Sequence, residues 1–249
     1  MATDDDHHLA ARLATEAGRL LLQVRAEDLD PPALKAAGDQ RSHELLMDAL
    51  RRERPDDAIL SEEGKDDQVR LDAQRVWIVD PLDGTREFSE VPRPDWAVHV
   101  ALVEDGTATA GAVALPALDV TLSTAAPPAI APPHAGPPRL VVSRTRPPAV
   151  ALALAEHLGG ALVEMGSAGA KAMAVVRGEV EVYAHAGGQY EWDSCAPVAV
   201  AASAGLHVSR LDGSALRYNN ADPYLPDLLI CRPELAESVL GFVRDKTWT

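Results

Sequence analysis

The chain has 249 residues, 47% of them hydrophobic, and a formal net charge of −15. That length and composition supply a substantial core, whereas the acidity argues against a broad basic surface for polymeric DNA or RNA, which needs Lys and Arg to replace counterions on phosphates. No segment approaches the roughly 20 uninterrupted apolar residues of a membrane helix, and Met1 to His8 is acidic and polar where a secretory leader is basic and then apolar, so the expectation is a cytoplasmic chain with no membrane partner.

In chain order, Leu9, Leu13, Ala17, Leu20, Leu21 and Val24 recur at helical spacing and predict an amphipathic first helix. A second is expected from Ser42 to Arg54, stopped by Pro55. Ala58 to Leu60 and Val76 to Val79 are short apolar, β-branched runs that each lead into acidic residues, as buried strands with carboxylates at their ends would. Strands are also expected at Trp96 to Val103, Thr109 to Leu115 and Val120 to Ser123. From Ala125 to Pro138 the chain is dominated by Pro, Ala and Gly, which suits a semi-rigid connection. This divides the sequence into an α+β part (1–124), a Pro-rich connection (125–138) and an α/β part (139–249). The last part alternates strand (Leu140 to Ser143), helix (Pro148 to Leu158), strand (Ala161 to Val163), helix (Gly169 to Arg177) and strand (Val180 to Ala184). A helix from Pro197 to Ala204, strands at His207 to Ser209 and Leu228 to Cys231, and a helix from Glu234 to Arg244 complete the expectation. Cys195 and Cys231 are too few for a disulfide framework and read as reduced thiols.

The chemistry concentrates at Asp80-Pro81-Leu82-Asp83-Gly84-Thr85. Pro81 fixes φ and Gly84 tolerates unusual dihedrals, so two carboxylates are held on a tight turn at a strand end. Carboxylates so close repel unless cations share them, and hard oxygen donors suit Mg²⁺. Taken alone, the pair also fits a turn whose side chains cap backbone groups. Two further acidic positions supply context: Glu62 and Glu63 after the Ala58 strand, and Glu191-Trp192-Asp193 before the Pro197 helix.

Glu-Glu, then D-P-x-D-G-T, then W-D near a late helix resembles the signature of the lithium-sensitive, magnesium-dependent phosphatases that include inositol monophosphatases, fructose-1,6-bisphosphatases and 3′(2′),5′-bisphosphate nucleotidases. The resemblance runs from Asp39 to about Tyr218 and implies a layered α/β/α/β/α sandwich, two or three Mg²⁺ ions, inhibition by Li⁺, a small phosphorylated substrate and, as is frequent among such phosphatases, a homodimer. It implies Glu62, Asp80, the Leu82 carbonyl, Asp83 and Asp193 as metal ligands, with Asp39 and Thr85 orienting the attacking water. Gly84 and Thr85 would meet the phosphate.

Within that family, Glu87 and the segment Gly166-Ser167 followed by Lys171 resemble the nucleotidases, although the spacing to Lys171 is one residue longer than their Gly-Ser-x-x-Lys. No acidic residue occurs from Ala184 to Gly188, where inositol phosphatases bind a ring hydroxyl. The substrate so implied is 3′-phosphoadenosine-5′-phosphate, with an inositol or other sugar phosphate as the alternative in the same class and an inactive nucleotide- or metal-binding sensor as the alternative outside it. His185 stands where those nucleotidases carry Arg, so Arg144, Arg146 and Lys171 become the candidates for holding the phosphate that is not cleaved, and Tyr190 for stacking on a base.

Overall fold

A computed structural model gives the fold and describes residues 1–66, 68–244, 246 and 248. Helix α1 (Asp4–Arg25) opens on a reciprocal cap in which the Asp6 N–H donates to Thr3 Oγ1 at 3.3 Å and the Thr3 N–H donates to Asp6 Oδ2 at 2.9 Å. Its buried stripe, Leu9, Leu13, Ala17, Leu21 and Val24, is the expected one except for Leu20, which is only partly buried.

Helix α2 (Pro31–Glu53) begins well before the Ser42 start expected from the sequence. Asp30 caps it by accepting the Ala33 N–H at 2.9 Å, and Pro31 and Pro32 suit a first turn that has no use for their missing donors. The added turns bury Leu34 and Gly38, and neither Gly38 nor the buried Ser42 that follows them carries a hydrophobic signal. Gly38 is small for a reason. A Cβ on Gly38 would lie 2.8 Å from Leu82 Cδ2 and 2.9 Å from Phe88 Cε1.

The first sheet has spatial order β1 (Ala58–Ser61), β2 (Arg75–Asp83), β3 (Ala97–Glu104), β4 (Thr107–Leu115), β5 (Val120–Ser123). Only β1 pairs in parallel; the rest are antiparallel. A one-turn helix α3 (Thr85–Ser89), not expected from the sequence, follows β2. After the irregular 127–138 segment come β6 (Arg139–Ser143), α4 (Ala149–Leu158), β7 (Ala161–Met165), α5 (Ala168–Val176), β8 (Val182–Tyr190), α6 (Glu191–Ser203), β9 (His207–Ser209), β10 (Tyr224–Cys231) and α7 (Pro233–Val243). The second sheet orders these strands β7-β6-β8-β10-β9.

Two differences from the expected elements share a cause. β8 runs on from Ala184 to Tyr190 and β10 starts at Tyr224 instead of Leu228, because the Gly-containing end of β8 and the Tyr224-Leu225-Pro226-Asp227 start of β10 pair with each other, Tyr190 opposite Tyr224. Tertiary pairing here overrides low strand propensity. α6 starts at Glu191 instead of Pro197, so Trp192 and Asp193 lie inside its first turn, with Pro197 accommodated within the helix.

Layering follows from burial. Along β2, Trp77 and Val79 point into one cluster with α1 and α2, while Val76 and Ile78 point into another with α5, α6 and the second sheet. A strand buried on both faces reads as a continuous apolar run, as Val76 to Val79 does. α4 and α7 cover the far face of the second sheet through Val150, Leu154, Val239 and Val243. The result is the α/β/α/β/α sandwich. Its middle cluster draws on both sides of the Pro-rich segment, including Ile78, Ala101, Val141 and Ile230. Among the described residues no helix is long and apolar enough to cross a membrane.

Asp6 ties the outer helical layer to the first sheet: its Oδ1 accepts from Arg54 Nε at 2.9 Å and from Arg75 Nη2 at 3.0 Å. Burial alone would raise its pKa, but the bonds from Thr3, Arg54 and Arg75 outweigh burial and hold the carboxyl well below the usual range. A depressed carboxylate contributes stability that is present above its unfolded pKa of about 4 and lost as pH falls through the folded value. Asp6→Asn is therefore expected to cost about 2–3 kcal/mol at pH 7. In urea unfolding, the gap between wild type and variant should narrow below about pH 4.

Candidate active site

The end of β2 carries Asp80-Pro81-Leu82-Asp83, and Gly84, at φ +83°, turns the chain into α3. Asp80 is buried and accepts the Leu82 N–H at 3.0 Å; Ser42 Oγ on α2 donates to the Pro81 carbonyl at 2.7 Å and anchors the turn from below. Thr85 Oγ1 lies 3.1 Å from the Leu82 carbonyl and 3.3 Å from Asp39 Oδ1, and shares its one hydrogen between these two acceptors. Asp39 and Thr85, distant in sequence, thus meet. Burial, reinforced by Glu63, pushes the Asp39 pKa up to about 6.

Asp83 is gripped from two directions. Ser167 Oγ donates to it at 2.5 Å, and the N–H groups of Ala168 and Gly169, at the start of α5, donate at 3.1 and 2.6 Å. From β3, His99 Nε2 approaches Asp83 Oδ2 to 3.2 Å, while His99 Nδ1 donates to the Trp192 carbonyl at 2.9 Å. Burial opposes its charge, yet these partners hold Asp83 below the ordinary carboxylate range. His99 was missed from the sequence, where its signal was one polar residue inside the apolar run of β3. Gly169 owes its identity to that histidine: a Cβ there would be 2.0 Å from His99 Nε2.

Asp193 closes the cleft from α6. Its Oδ2 accepts the Tyr190 N–H at 2.7 Å, and burial followed by Asp83 lifts its pKa to about 6. Carboxylate oxygens of Asp80, Asp83 and Asp193 all lie within 4.8 Å of one another. Glu62, in the turn after β1, adds a fourth carboxyl: the residue as a whole is exposed, but desolvation of its carboxyl where it faces the cleft, and then the charge of Asp193, raise it to about 7. Burial and the neighbouring acids also drive Asp80 well above its ordinary value. An all-oxygen donor set under such repulsion is complementary to hard divalent cations.

Of the other expected residues, Arg144, Arg146, Ser167 and Lys171 line an adjoining cavity of about 410 Å³ together with Arg86, Glu87, Ser143, Thr145 and Gly166, whereas His185 and Tyr190 are not part of its lining. Lys171 is buried and donates to the carbonyls of Gly166 at 3.2 Å and Ser167 at 2.5 Å. Arg144 is committed to carboxylates, Glu87 at 2.6 Å and Glu90 at 2.7 Å, and Arg86 to Glu90 at 3.0 Å. Among the described residues Arg146 is the cavity arginine without a carboxylate partner. His185 donates from Nε2 to the Gly187 carbonyl at 2.5 Å, and burial lowers its pKa to about 4, so it is neutral at pH 7. Tyr190 is 42% exposed and stacks on Trp192, ring centroids 4.9 Å apart.

The sequence matches the inositol monophosphatase family over residues 8–127 and 141–245. The chain belongs to this family. Within it, the protein is 52% identical over 254 residues to the 3′-phosphoadenosine 5′-phosphate phosphatase of Mycobacterium leprae, covering 96% of this chain and 94% of the relative. It is 33% identical over 232 residues to the 3′(2′),5′-bisphosphate nucleotidase CysQ of Escherichia coli K12, covering 86% and 94%. In three dimensions this inositol monophosphatase family fold overlays inositol monophosphatase-II of Staphylococcus aureus with a TM-score of 0.82 at 19% identity, covering 98% of this chain and 96% of that one, a likeness of fold alone.

The raised carboxyls of this family member make a signed prediction. Folded Asp39, Glu62 and Asp193 keep protons that the unfolded chain, with carboxyl pKa values of about 4, has already released. Metal-free stability must then fall as pH rises from about 4 to 7. The unfolding midpoint in chelator is expected to drop by roughly 5 °C between pH 5 and pH 8, and excess Mg²⁺ at pH 8 to restore it. A flat profile would mean that the cleft carboxyls do not repel.

Proposed function

We propose that this protein hydrolyses the 3′-phosphate of 3′-phosphoadenosine 5′-phosphate to give AMP and inorganic phosphate, with Mg²⁺ held by Glu62, Asp80, the Leu82 carbonyl, Asp83 and Asp193. The observation that carries the chemistry is the junction at Ser167, which is bonded to Asp83 on one side and lines the arginine-rich cavity on the other. Cation site and anion site are therefore contiguous, as a bisphosphorylated substrate requires. Kinship with the mycobacterial phosphatase supports the choice of nucleotide.

Bound Mg²⁺ would neutralise phosphoryl oxygens and acidify water. The chain's own part is positioning. Thr85 Oγ1 gives its hydrogen toward Asp39 and the Leu82 carbonyl, which leaves its lone pairs to accept a hydrogen bond from the attacking water and fix the line of attack. Gly84 and the start of α3 leave backbone N–H groups for the phosphate being cleaved. The uncleaved phosphate is assigned to Arg146, because Arg144 already serves two carboxylates, with the buried Lys171 contributing charge from beneath. The exposed face of Tyr190 offers the base a stacking surface.

A group that is gripped but not cleaved lowers the barrier only through such contacts, and neutral inositol hydroxyls offer no anion for them. The expected kcat/KM for 3′-phosphoadenosine 5′-phosphate exceeds that for inositol 1-phosphate by about 10²-fold, the size of one or two charge-assisted hydrogen bonds. Arg146→Ala should narrow the ratio by about 10-fold while sparing inositol 1-phosphate. Phosphate release measured on both substrates decides this; a preference for inositol 1-phosphate would transfer the protein to the sugar-phosphate branch.

Lithium supplies a second check. Li⁺, small and hard with half the charge of Mg²⁺, is expected to inhibit turnover, and K⁺ at equal ionic strength is not. Equal inhibition by the two salts would indicate only screening.

A further inference from the structure

Away from the reacting groups, one buried polar network joins the two segments that bear Glu62 and Asp193. Arg70 lies in the one-turn 3₁₀ segment Val69–Asp72 ahead of β2 and is 1% exposed. Its guanidinium holds Asp66 with two bonds, at 3.1 and 2.7 Å, and reaches Asn219 Oδ1 at 2.7 Å. Asn219 Nδ2 returns a bond to the Arg70 carbonyl at 2.9 Å. On its other side, the Asn219 N–H donates to Glu191 Oε2 at 2.6 Å, and the Asn220 N–H and Nδ2 donate to Glu191 Oε1 at 2.9 and 2.7 Å. Glu191 is 1% exposed and opens α6, two residues before Asp193.

The path runs from Asp66 and the 3₁₀ segment Val69–Asp72, through 219–220, to the helix start that presents Asp193. Every polar atom of the Asn219 side chain and its backbone N–H is used along it, and the residue accepts φ +63° to do so, a conformation asparagine tolerates better than most. A fully buried arginine between two largely exposed loops is costly to maintain unless every donor is matched. The stretches that the network ties together adjoin two of the proposed cation ligands, Glu62 four residues before Asp66 and Asp193 two residues after Glu191.

We infer that Arg70, Asn219 and Glu191 are positioning residues, a latch that presets the separation of the Glu62 turn from the start of α6 before any cation enters. The inference rests on the metal reading of the cleft. With the latch intact, cation binding need not draw the loop inward against repulsion; with it cut, that work is charged to cation affinity, while the Asp39–Thr85 pair and the anion cavity stay as they were.

The test uses the full-length protein and Asn219→Gly, which removes the latch side chain yet tolerates the positive φ, with Asn220→Ala as a milder cut. Mn²⁺ alone is titrated without substrate by electron paramagnetic resonance, and Mg²⁺ dependence of turnover is measured in parallel. Expected is a loss of about 10-fold in Mn²⁺ affinity and a matching rise in the Mg²⁺ needed for half-maximal rate, with kcat at saturating Mg²⁺ within about 2-fold of wild type. Asn220→Ala should move the same way by less. If both variants bind Mn²⁺ as wild type does, or if kcat at saturating Mg²⁺ falls and affinity does not, the latch is structural only and the inference is overturned. A wild-type protein that takes up no Mn²⁺ would overturn the metal reading itself, an outcome distinct from a wild type and variants that bind alike.

Discussion

Repulsion among carboxylates is the constraint on which the rest of the structure depends. Asp80, Asp83, Asp193 and Glu62 converge from three elements, and each would be more stable apart from the others. The fold keeps them together by surrounding them with commitments that cannot be released singly. Asp83 accepts from Ser167 and two backbone amides; Asp80 is bound to its own turn; Asp193 caps the helix that carries it. A large apolar sandwich is the counterweight. The layers of helix and sheet bury enough surface to hold in place a cluster that alone favours unfolding.

Placement of the middle helices makes the site possible. α5 and α6 lie between the two sheets and both start at the cleft, so their unpaired amide ends and capping side chains face the same region that β2 enters from below. His99 stitches these parts, since one imidazole touches Asp83 on the β2 turn and the Trp192 carbonyl on α6. The acids therefore belong to one continuous core even though they come from both sides of the Pro-rich connection.

Much of this was legible in the sequence because it was written in apolar pattern or in clustered chemistry. The stripe of α1, the doubly buried run of β2 and the D-P-L-D-G-T turn each announce themselves. What stayed hidden was written in small residues and in partners distant along the chain. The early turns of α2 bury Gly38, which looks like loop composition until the Leu82 and Phe88 side chains that crowd it are seen. Asp39 and Thr85 could be paired by resemblance, but the carboxylates that occupy Arg144 could not be read from its flanking sequence, since Glu87 and Glu90 lie in a different element. The boundaries of β8 and β10 were missed because each strand end exists only through the other.

The contact between Gly169 and His99 has a consequence for how such sequences can drift. Since a methyl group at 169 would collide with the imidazole at 2.0 Å, side-chain size at these two positions forms a single variable. A homologous chain that carries alanine or larger at the position of 169 must carry something shorter at the position of 99, and then surrenders the imidazole contact with Asp83. The two sites should covary across relatives that keep every acidic residue, and that joint substitution would separate lineages that position this aspartate through a histidine from those that hold it by backbone amides alone.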